Sequence, residues 1–230
     1  MFDGKFRAPV DRAVKPIGNG LRRTGLTPDH LTIVGLVVAI GAAVAIAAGW
    51  LLLGLLLVIL AALPDLFDGA LAKASNTSSQ RGAFFDSVVD RVTDATLYFG
   101  VAWYLASTHS PHAALLPMAV MGMSMVISYQ RAKAESLGLD AKGGLMERAE
   151  RIIALCIGLL FKPLLIPVLW LTLILTTVTA IQRFVKVWKQ AAVAPLTAQR
   201  IEMRRNRRQT RRVIRTERRR TRISRPGRSS

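Results

Sequence analysis

Six apolar runs set the terms on which this chain folds. The first, Leu31 to Ala48, holds no charged residue, and the second, Leu51 to Leu63, follows after only Gly49 and Trp50. A third starts after Asp94 and continues through Ala106. The fourth, fifth and sixth span Ala113 to Tyr129, Ile152 to Leu160 and Leu164 to Ile181. A helix needs roughly 20 apolar residues to cross a bilayer. The expected fold is an all-α integral membrane protein with six transmembrane helices, preceded by a juxtamembrane amphipathic helix. Some runs are short and need polar flanks to lengthen their helices. The fifth is where a split or merger of spans is most easily expected.

Charge orders these spans. The chain is 51% hydrophobic yet carries a formal charge of +18. Between Arg200 and Arg228 stand fourteen arginines against two acids, Glu202 and Glu217, so +12 of that charge sits in a tail. The basicity belongs to an appendage, not to a nucleic-acid-binding core. Elsewhere Lys and Arg alternate by loop. Lys5, Arg7, Arg12, Lys15, Arg22 and Arg23 precede the first span; Lys73, Arg81 and Arg91 follow the second; Arg131, Lys133, Lys142, Arg148 and Arg151 follow the fourth. The remaining connections hold Gly49-Trp50, the stretch Ser107 to His112, and Lys162. By the positive-inside bias, both termini are expected on the cytoplasmic side of the cell membrane.

Residues 1–24 read as a cytoplasmic amphipathic segment, with residues 5 to 24 suited to lie on the anionic leaflet. The first apolar run begins too late for a secretory signal peptide. Residues 25–190 read as the six-helix domain, and 191–230 as an Arg-rich, disordered cytoplasmic tail. That tail suits anionic headgroups, each basic residue near the surface contributing about 1 kcal/mol; RNA is the other partner weighed. The single cysteine, Cys156, sits in an apolar run and reads as a small core residue.

Where the second run ends, the sequence turns to DLFDGALAKASNTSSQRGAFFDSVVD. Asp65 and Asp68 are three apart and Asp86 and Asp90 four apart, so on helices each pair shares a face. Gly69 follows the first pair, Gly82 precedes the second, and the stretch between is polar. Four carboxylates brought together repel and raise one another's pKa values. Divalent cations such as Mg²⁺ relieve that and share oxygen ligands with substrate phosphates. Two metals with bridging ligands suit phosphoryl chemistry, and the glycines leave room for a phosphate near the backbone. Helix caps, or partners for Lys73, Arg81 and Arg91, are the plain alternative for any one Asp. A proton or cation pathway is another, but it leaves the pairing and flanking glycines unexplained.

The pattern Asp65-x2-Asp68-Gly69-x2-Ala72-Lys73-x8-Gly82-x3-Asp86-x3-Asp90 resembles the signature of the CDP-alcohol phosphatidyltransferases. One position departs, since Lys73 stands where that family usually has Arg; positive charge is kept and the planar fork is lost. The resemblance implies a six-helix membrane enzyme, expected as a homodimer, with two divalent ions, Mg²⁺ with Mn²⁺ also possible. Asp65 and Asp86 would bridge both ions, Asp68 would complete one and Asp90 the other. Asp90 would also be the general base, and Gly69, Lys73, Ser79 and Gly82 would line the CDP site. The segment Leu26-Thr27-Pro28-Asp29-His30-Leu31-Thr32 is similar to another family element. Pro28 and Asp29 start a helix well in either case; by resemblance, Asp29 and Thr32 would also contact the nucleotide. Asp94, one turn beyond Asp90, reads as a structural or supporting residue, not a fifth ligand.

Ser128, Arg131, Lys133, Arg148, Arg151 and Arg183 are candidates for a pocket holding an acceptor that itself carries phosphate. Ordinary positive-inside charge is the plain reading. Against it, Arg131 and Lys133 directly follow an apolar span, and Arg148 and Arg151 directly precede one. The run from Ser128 to Glu135, Gly143-Gly144 and Glu147-Arg148-x-Glu150-Arg151 resemble the actinobacterial branch of the family that makes phosphatidylinositol phosphate. That likeness implies CDP-diacylglycerol as donor and inositol 1-phosphate as acceptor. Glycerol 3-phosphate is the rival acceptor. Intramembrane prenyltransferases place their acids in two distant segments, whereas these four lie within 26 residues. A divalent-cation transporter is the alternative of a different class.

Overall fold

The computed structural model describes residues 28–62 and 80–192 of the 230-residue chain. Every regular element among them is helical, and no strand occurs among the described residues. Helix α1 runs Pro28–Ala47 and carries Asp29 in its first turn. It stops at a Schellman turn: the Trp50 N–H donates to the Ala45 carbonyl and the Gly49 N–H to the Ile46 carbonyl, both at 2.9 Å. Gly49 takes φ +84°, which a side chain would oppose. Helix α2, Leu51–Ala62, follows at once. Three linking residues suffice for this helical hairpin because the turn satisfies the last carbonyls of α1.

Helix α3 spans Gln80–Thr108, and a 3₁₀ turn at Pro111–Ala114 leads into α4, Leu115–Ser136. Helix α5 is short, Arg148–Leu160. A 3₁₀ turn at Lys162–Leu164 separates it from α6, residues 165–192. Pro163 falls in that turn, where a missing N–H costs little. The fifth and sixth apolar runs are therefore distinct helices, joined by a tight reversal in which Gly158 faces Leu165.

Three helical stretches are long and apolar enough to cross a membrane: Asp29–Ala47, Pro111–Ser136 and Lys162–Ala192. Leu51–Ala62 is apolar but shorter. Helix α5, at thirteen residues, extends only about 20 Å. Helix α3 is long enough, but its first half carries Arg81, Asp86, Asp90, Arg91 and Asp94.

Packing relies on small residues. Ala39, Ala42, Ala43, Ala45 and Ile46 of α1 are buried, whereas Val34, Val37 and Val44 of the same helix are exposed. Trp103 on α3 and Trp170, Leu171 and Ile174 on α6 also point outward. Helices that are apolar inside and out suit a lipid environment, where close van der Waals fit replaces the hydrophobic effect as the driving force. The tightest crossing joins α1 to α3: a Cβ at Gly100 would lie 2.5 Å from the Ala43 carbonyl oxygen and 2.8 Å from its Cα. Further along, Gly49 lies against Tyr104. Contacts thus advance in the same direction along both stretches, so α1 and α3 run parallel. Their N-terminal ends, with Asp29 and Thr32 on one and Asp86 and Asp90 on the other, lie at the same end of the bundle.

Backbone cannot yield as a side chain does. Gly100→Ala is therefore expected to destabilise the fold by about 1–3 kcal/mol, read as a lowered Tm of the detergent-solubilised protein. Gly122→Ala, which meets open space, is expected to leave Tm unchanged or slightly raised.

Candidate active site

Asp86, Asp90 and Asp94 follow at four-residue intervals along α3 and therefore share one face. Asp86 and Asp90 are half-buried, and Asp94 is only 7% exposed. Helix α5 supplies the opposing charge from its first turn. The Arg148 Nη1 lies 2.8 Å from Asp90 Oδ1, while its Nε donates to Asp94 Oδ1 at 3.3 Å. One turn on, the Arg151 Nη2 donates to Asp94 Oδ2 at 3.0 Å. Arg148 thus spans two carboxylates, and Asp94 receives a guanidinium on each oxygen. Arg91 adds a longer contact to Asp90, 3.4 Å. Arg151 is 3% exposed, and an arginine so buried needs such a partner because it does not lose its charge.

Arg183 arrives from α6 and is 4% exposed. Its Nη1 donates to the Ile127 carbonyl at 3.0 Å, and its Nη2 to the Gly143 carbonyl at 3.1 Å, with Glu147 Oε1 at 3.4 Å. Arg131 and Arg151 stand near enough to bear on its charge. The same α6 face holds the whole 137–147 segment. Thr179 Oγ1 accepts the Met146 N–H at 3.0 Å. Lys186 Nζ donates to Asp140 Oδ2 and the Lys142 carbonyl, and Gln190 exchanges two hydrogen bonds with the Asp140 backbone. Residues 179, 183, 186 and 190 form one helical stripe. Gly144, at φ +149°, passes so close to Thr179 that a Cβ would collide with it. That contact explains the glycine.

Among the described site residues, the structure brings Asp29, Thr32, Gly82, Asp86, Asp90, Arg148, Arg151 and Arg183 to one end of the bundle. Arg131 pairs with Glu135 on the surface of α4 itself, at 3.0 Å, and Lys133 is exposed while Ser128 is half-buried. Asp65, Asp68, Gly69, Lys73 and Ser79 lie outside the described residues, as do the N-terminal amphipathic segment and the Arg-rich tail. Cys156 packs against the apolar core, as a small core residue should. Among the described residues no group of three or more His, Cys, Asp or Glu is placed to hold a metal. Asp86 and Asp90 nonetheless offer hard carboxylate oxygens one turn apart, the donor type a divalent cation takes. The anchors Thr179, Lys186 and Gln190 were not foreseen; their three- and four-residue spacing with Arg183 was the available signal.

A family model described as CDP-alcohol phosphatidyltransferase matches residues 25–188. The chain belongs to the CDP-alcohol phosphatidyltransferase family. It is 32% identical over 200 residues to phosphatidylinositol phosphate synthase of Mycobacterium marinum, covering 83% of this chain and 86% of that one. The crystal structure of the Mycobacterium tuberculosis phosphatidylinositol phosphate synthase with CDP-DAG bound superposes with a TM-score of 0.72. That match has 33% identity and covers 77% of this chain and 94% of that one. The same enzyme in complex with manganese and citrate gives 0.70 at 32% identity, over 76% and 88%. This phosphatidyltransferase is therefore an enzyme of phospholipid synthesis.

Asp140 provides a pH test of the 137–147 latch. The Lys186 ammonium foremost, then the Lys142 backbone N–H, holds its carboxyl below the usual value. The folded value lies beneath the unfolded one, so the contribution is complete above about pH 3.9 and is lost as pH falls through the lower folded value. Hydrogen exchange over residues 138–146, corrected for intrinsic rates, is expected to hold constant from pH 7 to 5. Asp140→Asn is expected to raise it at pH 7.

Proposed function

We propose that this phosphatidyltransferase moves a phosphatidyl group from CDP-diacylglycerol to 1D-myo-inositol 3-phosphate (L-myo-inositol 1-phosphate), giving phosphatidylinositol phosphate and CMP. The observation that carries this reading is Arg148, whose guanidinium touches Asp90 on one side and Asp94 on the other. A phosphate held by Arg148 and Arg151 brings the hydroxyls of the same acceptor molecule beside the Asp90 carboxylate. The resemblance to phosphatidylinositol phosphate synthases supports the choice of acceptor.

In this reading Asp90 takes the proton of the acceptor hydroxyl as its oxygen bonds to the β-phosphorus of the donor. The bond from that phosphorus to the CMP oxygen breaks, and CMP leaves. Arg148, Arg151 and Arg183 orient the acceptor, with Ser128, Arg131 and Lys133 at its margin. Asp29, Thr32, Gly69, Lys73, Ser79 and Gly82 line the CDP-lipid site. Asp65, Asp68, Asp86 and Asp90 would hold two divalent cations, Mg²⁺ or Mn²⁺, which when bound neutralise pyrophosphate charge. We assign six spans, both termini and the site on the cytoplasmic side of the cell membrane, a homodimeric assembly, and a tail resting on anionic headgroups. The alternating Lys and Arg of the loops support that orientation.

CMP release from the purified enzyme with CDP-diacylglycerol tests the acceptor. Inositol phosphate is expected to support turnover and glycerol 3-phosphate to fail; activity with glycerol 3-phosphate alone overturns the assignment, and metal flux into liposomes without CMP release points to a transporter instead. For the base, Asp90→Asn is expected to lower kcat by roughly 10²–10⁴-fold while CDP-lipid binding survives. Near-normal turnover removes Asp90 from that role.

A further inference from the structure

Asp94 lies outside the metal signature and one turn further into the bundle, yet it is the more buried of the two carboxylates that Arg148 touches. Its two oxygens are divided between two arginines, Oδ1 to Arg148 Nε at 3.3 Å and Oδ2 to Arg151 Nη2 at 3.0 Å. Asp94 meets each guanidinium at a single nitrogen. Arg151 spends its Nη1 on the Met146 carbonyl at 3.5 Å, and its buried Nε has no hydrogen-bond partner among the described residues. Arg148, anchored through Nε, extends Nη1 toward Asp90. A planar guanidinium fixed at one nitrogen has its remaining donors fixed in direction as well. Asp94 is therefore the carboxylate common to both guanidiniums, with Asp90 as a second anchor of Arg148.

We propose that Asp94 is a positioning residue for the acceptor phosphate, aligning Arg148 and Arg151 as a paired clamp beside Asp90. This rests on the reading of those arginines as acceptor-phosphate ligands. The opposite possibility is an ion cluster that only holds α3 to α5. The two differ in what a neutral replacement does. A clamp that loses its alignment binds the acceptor poorly while leaving the CDP-lipid site alone. A structural tie that loosens lowers stability and the active fraction without favouring one substrate.

The test uses full-length enzyme in detergent, with both substrates titrated for wild type, Asp94→Asn and Asp94→Glu, and with inorganic phosphate as a competitor of the acceptor. For Asp94→Asn, the acceptor KM and the phosphate Ki are expected to rise together by roughly tenfold or more, the loss of a charge-assisted hydrogen bond. The CDP-diacylglycerol KM is expected to stay unchanged. Asp94→Glu keeps the charge but displaces it by one methylene, and is expected to raise acceptor KM and phosphate Ki by a common factor smaller than that of Asp94→Asn. A fall in kcat with acceptor KM and phosphate Ki unmoved overturns the proposal, as does an equal rise in both KM values. Should Asp94→Asn not fold, Asp94→Glu decides: its displaced carboxylate must shift acceptor KM and phosphate Ki by the same factor, and no shift in either counts against the clamp. If wild type uses glycerol 3-phosphate instead, the acceptor assignment fails while the Asp94 test proceeds with that acceptor. If wild type uses no phosphorylated acceptor at all, both fall.

Discussion

An arginine cannot discard its charge to enter a low-dielectric interior, so each buried guanidinium obliges the chain to surround it with acceptors. Two such residues organise this bundle. Arg151 draws Asp94 and the Met146 carbonyl to it, and Arg183 draws the Ile127 and Gly143 carbonyls and Glu147. Those partners come from α3, α4 and the 137–147 segment. Satisfying one side chain of α5 and one of α6 thus fixes how those three parts meet the two helices. The apolar faces of the helices are far less particular about their neighbours, since lipid solvates Val37 or Leu171 as well as protein does.

The 137–147 segment shows the same logic at the surface. It has no regular structure, so its backbone groups need partners elsewhere. The stripe of Thr179, Arg183, Lys186 and Gln190 on α6 supplies them. Because Arg148 begins the helix that follows, the segment's anchorage also determines where α5 starts, and hence whether the first turn of that helix lies level with Asp90.

Local periodicity made part of this arrangement readable from sequence. Asp86, Asp90 and Asp94 share a face on any helix, and the spacing needed no tertiary knowledge. The likeness of the Asp65–Asp90 stretch to a family signature, and the family membership of residues 25–188, agree. What sequence did not reveal depended on neighbours distant along the chain. Arg148 and Arg151 read as candidates for an acceptor pocket, but their pairing with Asp90 and Asp94 was hidden because more than fifty residues separate the partners. Gly143 and Gly144 were visible as a pair, yet the reason for Gly144 is the approach of Thr179. The need for glycine at position 100 comes from the Ala43 backbone, fifty-seven residues away along the chain. Arg131 shows the reverse, a pocket candidate whose described contact lies within its own helix.

Helix α6 also measures where the chemistry sits. Arg183 lies eighteen residues from the first residue of that helix, about 27 Å at 1.5 Å per residue. Asp90 lies eighteen residues from Thr108, the far end of α3. Both distances approach the roughly 30 Å of a bilayer's hydrocarbon layer. In the proposed six-span reading, the arginines and carboxylates fall at the boundary plane itself, with Lys186, Gln190 and Asp140 beyond it in water. At that plane a lipid diffusing sideways and a solute diffusing downward reach the same atoms without either leaving its own solvent.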